Sequence, residues 1–284
     1  MNGHDTGAVE ASAIGTTAFI GGGNMARSLI GGLVARGTPP SSIHVADPVA
    51  ELREALARDF GVAVFADGRD AVADAGTWVL AVKPQAMRAV CESLAMAARS
   101  DRPLVLSIAA GITTAQLDRW LGGDAAVVRS MPNTPALLGA GVTGLFANVR
   151  VDADGRARTD ALLGAAGATV WLEDESRMDA VTAVSGSGPA YVFLLAEAMQ
   201  AAGEAEGLPP HAARTLALHT ILGAARMLTE GTEAPAELRR RVTSPNGTTQ
   251  AAIEAFEAGG FRELVARAVR AAAERGRELS AAHD

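Results

Sequence analysis

Over roughly the first 173 positions the apolar residues come in short runs, and each run is followed by a stretch of helical periodicity. The runs are Thr17–Gly21, Ile43–Ala46, Val62–Val64, Trp78–Val82, Leu104–Ile108 and Ala126–Arg129. They are too short for helices and rich in β-branched residues, which predicts strands. Between them, Met25–Arg36, Pro48–Asp59, Pro84–Ala98 and Thr113–Leu121 repeat apolar residues at helical spacing. Val142–Phe146 and Thr169–Leu172 predict two more strands around a helix near Gly155–Ala166. Strand–helix alternation of this kind predicts an α/β fold, a doubly wound parallel sheet covered on both faces.

Beyond Glu173 the strand signal stops. Met178–Val184, Gly188–Glu206, Pro210–Thr229, Ala234–Arg241, Gly247–Ala258 and Phe261–Leu279 all read as helices, several of them Ala-rich and apolar around much of their circumference. Such helices need burial, and a region of about 110 residues has little interior to offer them. The expectation is that this all-α region packs against a second copy of itself, as a homodimer. Three segments result: a loose N-terminal tail (1–15), a sheet domain (16–173) and a helical domain (174–284).

Composition narrows the function classes. The chain has 284 residues, an ordinary apolar and charged content and a formal net charge of −7, so no general attraction to nucleic acid or anionic lipid is expected. Its one basic run, Arg239-Arg240-Arg241, reads as a solvated helix end. Cys91 is the only cysteine, which excludes an intrachain disulfide, and the five histidines are scattered without metal-site spacing. No apolar run reaches membrane-spanning length, and residues 1–15 lack the charged start and apolar core of a signal peptide. A cytoplasmic enzyme without a metal is the expectation.

The chemistry starts at the first strand. Gly21-Gly22-Gly23-Asn24-Met25-Ala26 follows it and opens a helix, giving the spacing Gly-x-Gly-x-x-Ala of a dinucleotide-binding turn. This makes the sheet domain Rossmann-type. Gly21 suits the tight turn, Gly23 lets backbone approach a pyrophosphate, and Ala26 lets helix and strand pack closely. The N-H groups opening the helix, at Asn24, Met25 and Ala26, face the phosphates. Asp47 ends the second strand and has two readings: acceptor for a ribose 2'-hydroxyl, which would favour NADH over NADPH, or cap of the helix starting at Pro48. No arginine follows it at once; Arg53 comes one helical turn later. The fourth strand ends in Val82-Lys83-Pro84, at the sheet edge where such folds hold ligands, and Lys83 is the only lysine in the chain. Arg129-Ser130-Met131-Pro132-Asn133-Thr134-Pro135 leaves another strand at that edge, and its prolines stiffen a loop carrying Asn133. Cofactor contacts are therefore expected at Gly21, Gly23, Asn24, Met25, Ala26, Asp47, Val82, Lys83, Pro84 and Asn133.

Two stretches of the helical region stand out. Val184-Ser185-Gly186-Ser187-Gly188-Pro189-Ala190-Tyr191 precedes a long apolar helix; its Ser187 either caps that helix or belongs to a small-residue loop that a ligand can approach. Thr243-Ser244-Pro245-Asn246-Gly247-Thr248-Thr249 contains Asn-Gly, a strong hairpin signal, yet helical spacing follows it. Hydroxyls and free N-H groups at a helix start suit an anion.

These stretches, with Phe19–Ala26, Ala81–Pro84, Val128–Pro135, Asp179–Tyr191, Val242–Thr249 and Gly259–Arg262 in order, resemble the pyrroline-5-carboxylate reductases. The resemblance implies a Rossmann domain and a helical domain that interlocks into a dimer, often built into a ring of dimers. It implies reduction of 1-pyrroline-5-carboxylate to proline by NAD(P)H. It implies, too, that the substrate carboxylate lies at Ser244, Asn246, Gly247, Thr248 and Thr249, beside Ser187, with Thr249 and Ser244 closest to the chemistry. Glu233 matches only loosely an acidic residue connected with proton handling. The chain departs from the family in having Pro-Asn-Gly where Pro-Gly-Gly is usual, which Asn tolerates because it accepts left-handed backbone. It also has Asp47-Pro48 where many members carry Asn-Arg and prefer NADPH, so the choice between NADH and NADPH stays open. Two other readings stand beside this one. A two-domain hydroxyacid dehydrogenase would need a general acid-base, usually a lysine of the second domain, and no lysine is present there. A non-catalytic nucleotide-binding regulator would have no use for the Ser/Thr loop.

Overall fold

A computed structural model describes residues 14–281. The chain forms two compact units: one runs to Ser187 and is rejoined by the chain from Ala272 on, and the other is Gly188–Ala271. The last strand ends at Leu172, close to the boundary drawn from sequence, while the units divide fifteen residues further on because Glu175–Ser187 packs with the sheet. Of the expected tail, residues 1–13 lie outside the described residues. Ile14 is buried in the core.

The first unit is one eight-stranded sheet in the order β3-β2-β1-β4-β5-β6-β7-β8. The strands are β1 Thr17–Ile20, β2 Ile43–Ala46, β3 Ala63–Phe65, β4 Thr77–Leu80, β5 Leu104–Ser107, β6 Ala126–Met131, β7 Gly141–Ala147 and β8 Gly167–Leu172. All neighbours pair in parallel except β6 and β7. The β6–β7 connection, 132–140, is a single 3₁₀ turn, too short for the crossover that parallel pairing needs. Helices α1 Asn24–Ala35, α2 Ala50–Phe60, α3 Gly68–Val72, α4 Pro84–Asp101, α5 Thr114–Trp120 and α6 Ala153–Leu163 link the strands. The apolar runs read as near-continuous because both faces are covered. Along β1, Phe19 enters one core with Leu29, Leu33, Val79 and Leu106, while Ala18 and Ile20 enter the other with Trp78, Leu80, Met87 and Leu94. The unit also takes in α7 Met178–Val181 and a π turn over Thr182–Gly186.

In the second unit α8 Gly188–Ala205 packs on α9 Pro210–Glu230, followed by α10 Pro235–Arg241 and α11 Thr248–Ala258; α12 Phe261–Ala281 begins here and ends in the first unit. Within one chain Phe193, Leu194, Leu222, Met227, Phe256 and Leu264 are each at least half exposed, against the near-zero exposure of the sheet's core residues.

Candidate active site

The glycine turn crosses the carboxyl ends of β1, β2 and β4. Gly21 has φ +106°, and its N-H donates to the Ala46 carbonyl at 2.8 Å. A Cβ there would stand 2.7 Å from the Ala81 oxygen, so only glycine fits. Gly23 is the opposite case: it is exposed, and an added Cβ would meet nothing within 4 Å. That open backbone lies against the N-terminus of α1, which has no side-chain cap, and so presents free N-H groups to an anion such as a pyrophosphate. Asn24 and Met25 are accessible, whereas Ala26 is buried against the sheet, as its packing role requires.

Asp47 is not the cap of α2. Helix α2 begins at Ala50 rather than Pro48, and its N-cap is Val49. The Asp47 carboxylate instead accepts from Gly22 N-H at 2.8 Å and from Val49 N-H at 2.9 Å. It is 8 % exposed, tied to the glycine turn itself, and keeps one acceptor site on each oxygen. Arg53 donates to the Asp47 main-chain oxygen at 2.6 Å, which puts a guanidinium beside the same strand end. Lys83 is exposed as the N-cap residue of α4, Pro84 takes that helix's first turn, and Val82 and Pro84 are half-buried.

Asn133 does not project freely from its loop. It is 8 % exposed; its Oδ1 accepts from Val142 N-H at 3.0 Å and its Nδ2 donates to the Ser185 carbonyl at 3.2 Å. Ser187 is half-buried at the end of the π turn, where its N-H donates to the Thr182 carbonyl at 2.8 Å.

An ionic cluster went unread in the sequence. Arg129, its side chain 5 % exposed inside β6, lies 3.5 Å from Glu175 and 3.6 Å from Asp179. Glu175 in turn accepts from the N-H and hydroxyl of Thr114, both at 2.7 Å. A charged residue inside an otherwise apolar strand was its one visible signal, but the partners are about 50 residues away and not readable from spacing. Taking away Arg129 would leave two carboxylates without their shared cation.

In the second unit, Ser244-Pro245-Asn246-Gly247 forms a tight turn closed by Gly247 N-H to the Ser244 carbonyl at 3.1 Å. Pro245 and Asn246 take its central positions, and Asn246 has φ +57°, the left-handed value that such a turn needs. The turn opens a helix and not a hairpin: Gly247 is the N-cap of α11, whose first residues are Thr248 and Thr249. Thr248 is exposed and Thr249 half-buried, and no side chain caps the helix. Asn246 N-H donates to Gln250 Oε1 at 2.8 Å. The Glu233 carboxylate is paired with Arg241, while Arg239 and Arg240 reach Glu257 and Glu237, so the basic run is neutralised by neighbours.

Comparison with known proteins extends these observations. Residues 175–279 match the family model for pyrroline-5-carboxylate reductase dimerisation, and residues 16–111 match the model for coenzyme F420-dependent NADP oxidoreductases. A pyrroline-5-carboxylate reductase of Pseudomonas aeruginosa is 55 % identical, over 93 % of this chain and 96 % of its own length. That of Haemophilus influenzae is 44 % identical over 92 % and 96 %. Among solved structures, a Coxiella burnetii pyrroline-5-carboxylate reductase superposes with a TM-score of 0.92 at 42 % identity, over 94 % of this chain and 99 % of its own. The Plasmodium falciparum pyrroline carboxylate reductase with NADP bound gives 0.81 at 26 % identity, over 93 % and 98 %.

Proposed function

Because the chain belongs to the pyrroline-5-carboxylate reductase family, we propose that it reduces 1-pyrroline-5-carboxylate to proline with NADH or NADPH, the last step of proline biosynthesis. The observation that carries this reading beyond kinship is the open backbone of Gly23 against an uncapped helix start, which is a cradle a pyrophosphate fits. The bound dinucleotide supplies the hydride. Gly21 and Gly23 shape the cradle, and the N-H groups of Asn24, Met25 and Ala26 hold the phosphates. Val82 and Pro84 form its wall, and the Lys83 ammonium adds positive charge beside it. Asp47, fixed by two backbone donors, offers a ribose 2'-hydroxyl its remaining acceptor sites. A 2'-phosphate would meet that carboxylate as a like charge, so NADH should give the higher kcat/KM.

The substrate is a cyclic imine that carries a carboxylate. At the start of α11 the N-H groups of Thr248 and Thr249, with the Ser244 hydroxyl, hold the carboxylate. The turn through Asn246 and Gly247 sets the spacing of those groups, and Ser187 supplies a small wall. Thr249 presents its hydroxyl to the ring nitrogen. A protonated imine accepts hydride readily, so the chain's task is alignment, a contribution that reaches about 7–11 kcal/mol in well-oriented systems. The helical unit forms a homodimer, which covers its exposed apolar side chains, and dimers can assemble further into a ring. A cytoplasmic site of action belongs to the same proposal, supported by kinship with the bacterial reductases.

The test is direct. Purified protein is mixed with pyrroline-5-carboxylate and either NADH or NADPH, and cofactor absorbance and proline are followed together. Proline formation is expected with both, faster with NADH; none with either would sink the assignment.

A further inference from the structure

We propose that Asn133 is a positioning residue: its amide holds the Ser185 carbonyl and thereby fixes the loop Ser185–Ser187, from which the chain leaves the nucleotide-binding unit. The proposal rests on the reading of Ser187 as part of the substrate site. Ser185 lies in the π turn Thr182–Gly186, which is closed by Ser187 N-H on Thr182. In a regular helix a carbonyl accepts from the N-H four residues on. Four residues beyond Ser185 the sequence has Pro189, which has no N-H to give. Asn133 Nδ2 meets that need from the β6 loop at 3.2 Å.

The orientation of the amide follows from its partners. Val142 N-H needs an acceptor and takes Oδ1 at 3.0 Å; the Ser185 carbonyl needs a donor and takes Nδ2. With both ends engaged and 8 % exposure, the side chain acts as a strut. The loop also approaches β6 through the Met131 side chain. A Cβ on Gly186 would stand 2.7 Å from Met131 Cε, and Met131 ends the strand that leads into Asn133. The Asn133 bond thus ties the loop to the carboxyl end of β6. Misplacement of aligned groups by an ångström costs about a hundredfold in rate. Losing this one bond is a smaller perturbation.

Asn133→Asp provides the test. Its carboxyl is isosteric with the amide: protonated, it can still donate to Ser185 and accept from Val142, but ionised it can only accept and opposes the Ser185 carbonyl. We expect kcat/KM for pyrroline-5-carboxylate about tenfold below wild type at pH 8, the scale of one lost buried hydrogen bond. The deficit should shrink as pH falls toward 5, with wild type measured at each pH for reference. Dissociation constants for NADH should stay within about twofold, because both ends of the Asn133 amide are engaged within the protein. A deficit indifferent to pH, an equal loss of NADH affinity, or Asn133→Asp kinetics matching wild type would overturn the positioning role alone. Wild type that turns over no pyrroline-5-carboxylate would instead overturn the functional reading beneath it.

Discussion

A methyl group added at Gly21 would stand 2.7 Å from the Ala81 carbonyl oxygen and 2.8 Å from its carbon, closer than the 3.0 Å below which real Cβ atoms are essentially never found. The obstacle is backbone of β4's continuation and not a side-chain tip, so it cannot swing away. The φ of +106° adds its own penalty for any L side chain. Together these cost about 1–3 kcal/mol for the strained backbone, plus whatever shift the loop makes to clear Ala81. In a chain of this size that lowers the melting temperature by about 2–4 °C per kcal/mol, read by scanning calorimetry. Gly23→Ala is the matched control. Its φ of −68° suits alanine, and the added methyl meets nothing within 4 Å. Melting temperature should therefore be unchanged within about a degree, while NADH affinity by fluorescence titration falls at least tenfold, because the methyl occupies the pyrophosphate's approach. Gly21→Ala should lose both stability and affinity. If Gly23→Ala binds NADH as wild type does, the cradle is not where the dinucleotide sits, and the assignment of Gly21–Ala26 is wrong.

Replacing Thr249 by Ala should cut kcat at least tenfold with NADH affinity intact; unchanged turnover would remove it from the chemistry. Asn246→Gly should hold kcat/KM within about twofold and stability within about 1 kcal/mol, since both residues accept φ +57°; a larger kinetic loss would mean that the amide touches substrate. Burial pushes the Cys91 thiol from its ordinary 9.0 up to about 12, so below pH 9 folded and unfolded chains both keep the proton. Between pH 9 and 12 only the unfolded chain releases it, and stability should fall by about 1.4 kcal/mol per pH unit, a slope visible in urea midpoints and absent in Cys91→Ala.

Much of the architecture was legible because its signals are local. All eight strands were readable as short apolar runs to within two residues, and Gly-x-Gly-x-x-Ala marked the turn between β1 and α1. Val62–Val64 shifted by one residue to Ala63–Phe65, and α3 went unread since five residues leave too little periodicity. The antiparallel β6–β7 pair was hidden for a related reason: strand patterns do not carry direction, and only the length of the connection decides it. At the site, the Asn246 turn was readable because φ and residue type are linked at one position. Asp47 was not, because its partners Gly22 and Val49 come from different turns.

The sequence by itself determined the elements, the nucleotide turn, the helix-start loop and the family. These rest on periodicity, backbone preference and residues adjacent in the chain, which act before any tertiary contact forms. Only the tertiary structure decided that Asn133 is a strut, that Asp47 is tied to the glycine turn, and that Arg129 is buried between Glu175 and Asp179. Each of those facts depends on a donor meeting an acceptor brought from 25 to 52 positions away. A polar side chain taken from water must find such a partner, but the chain's order does not say which.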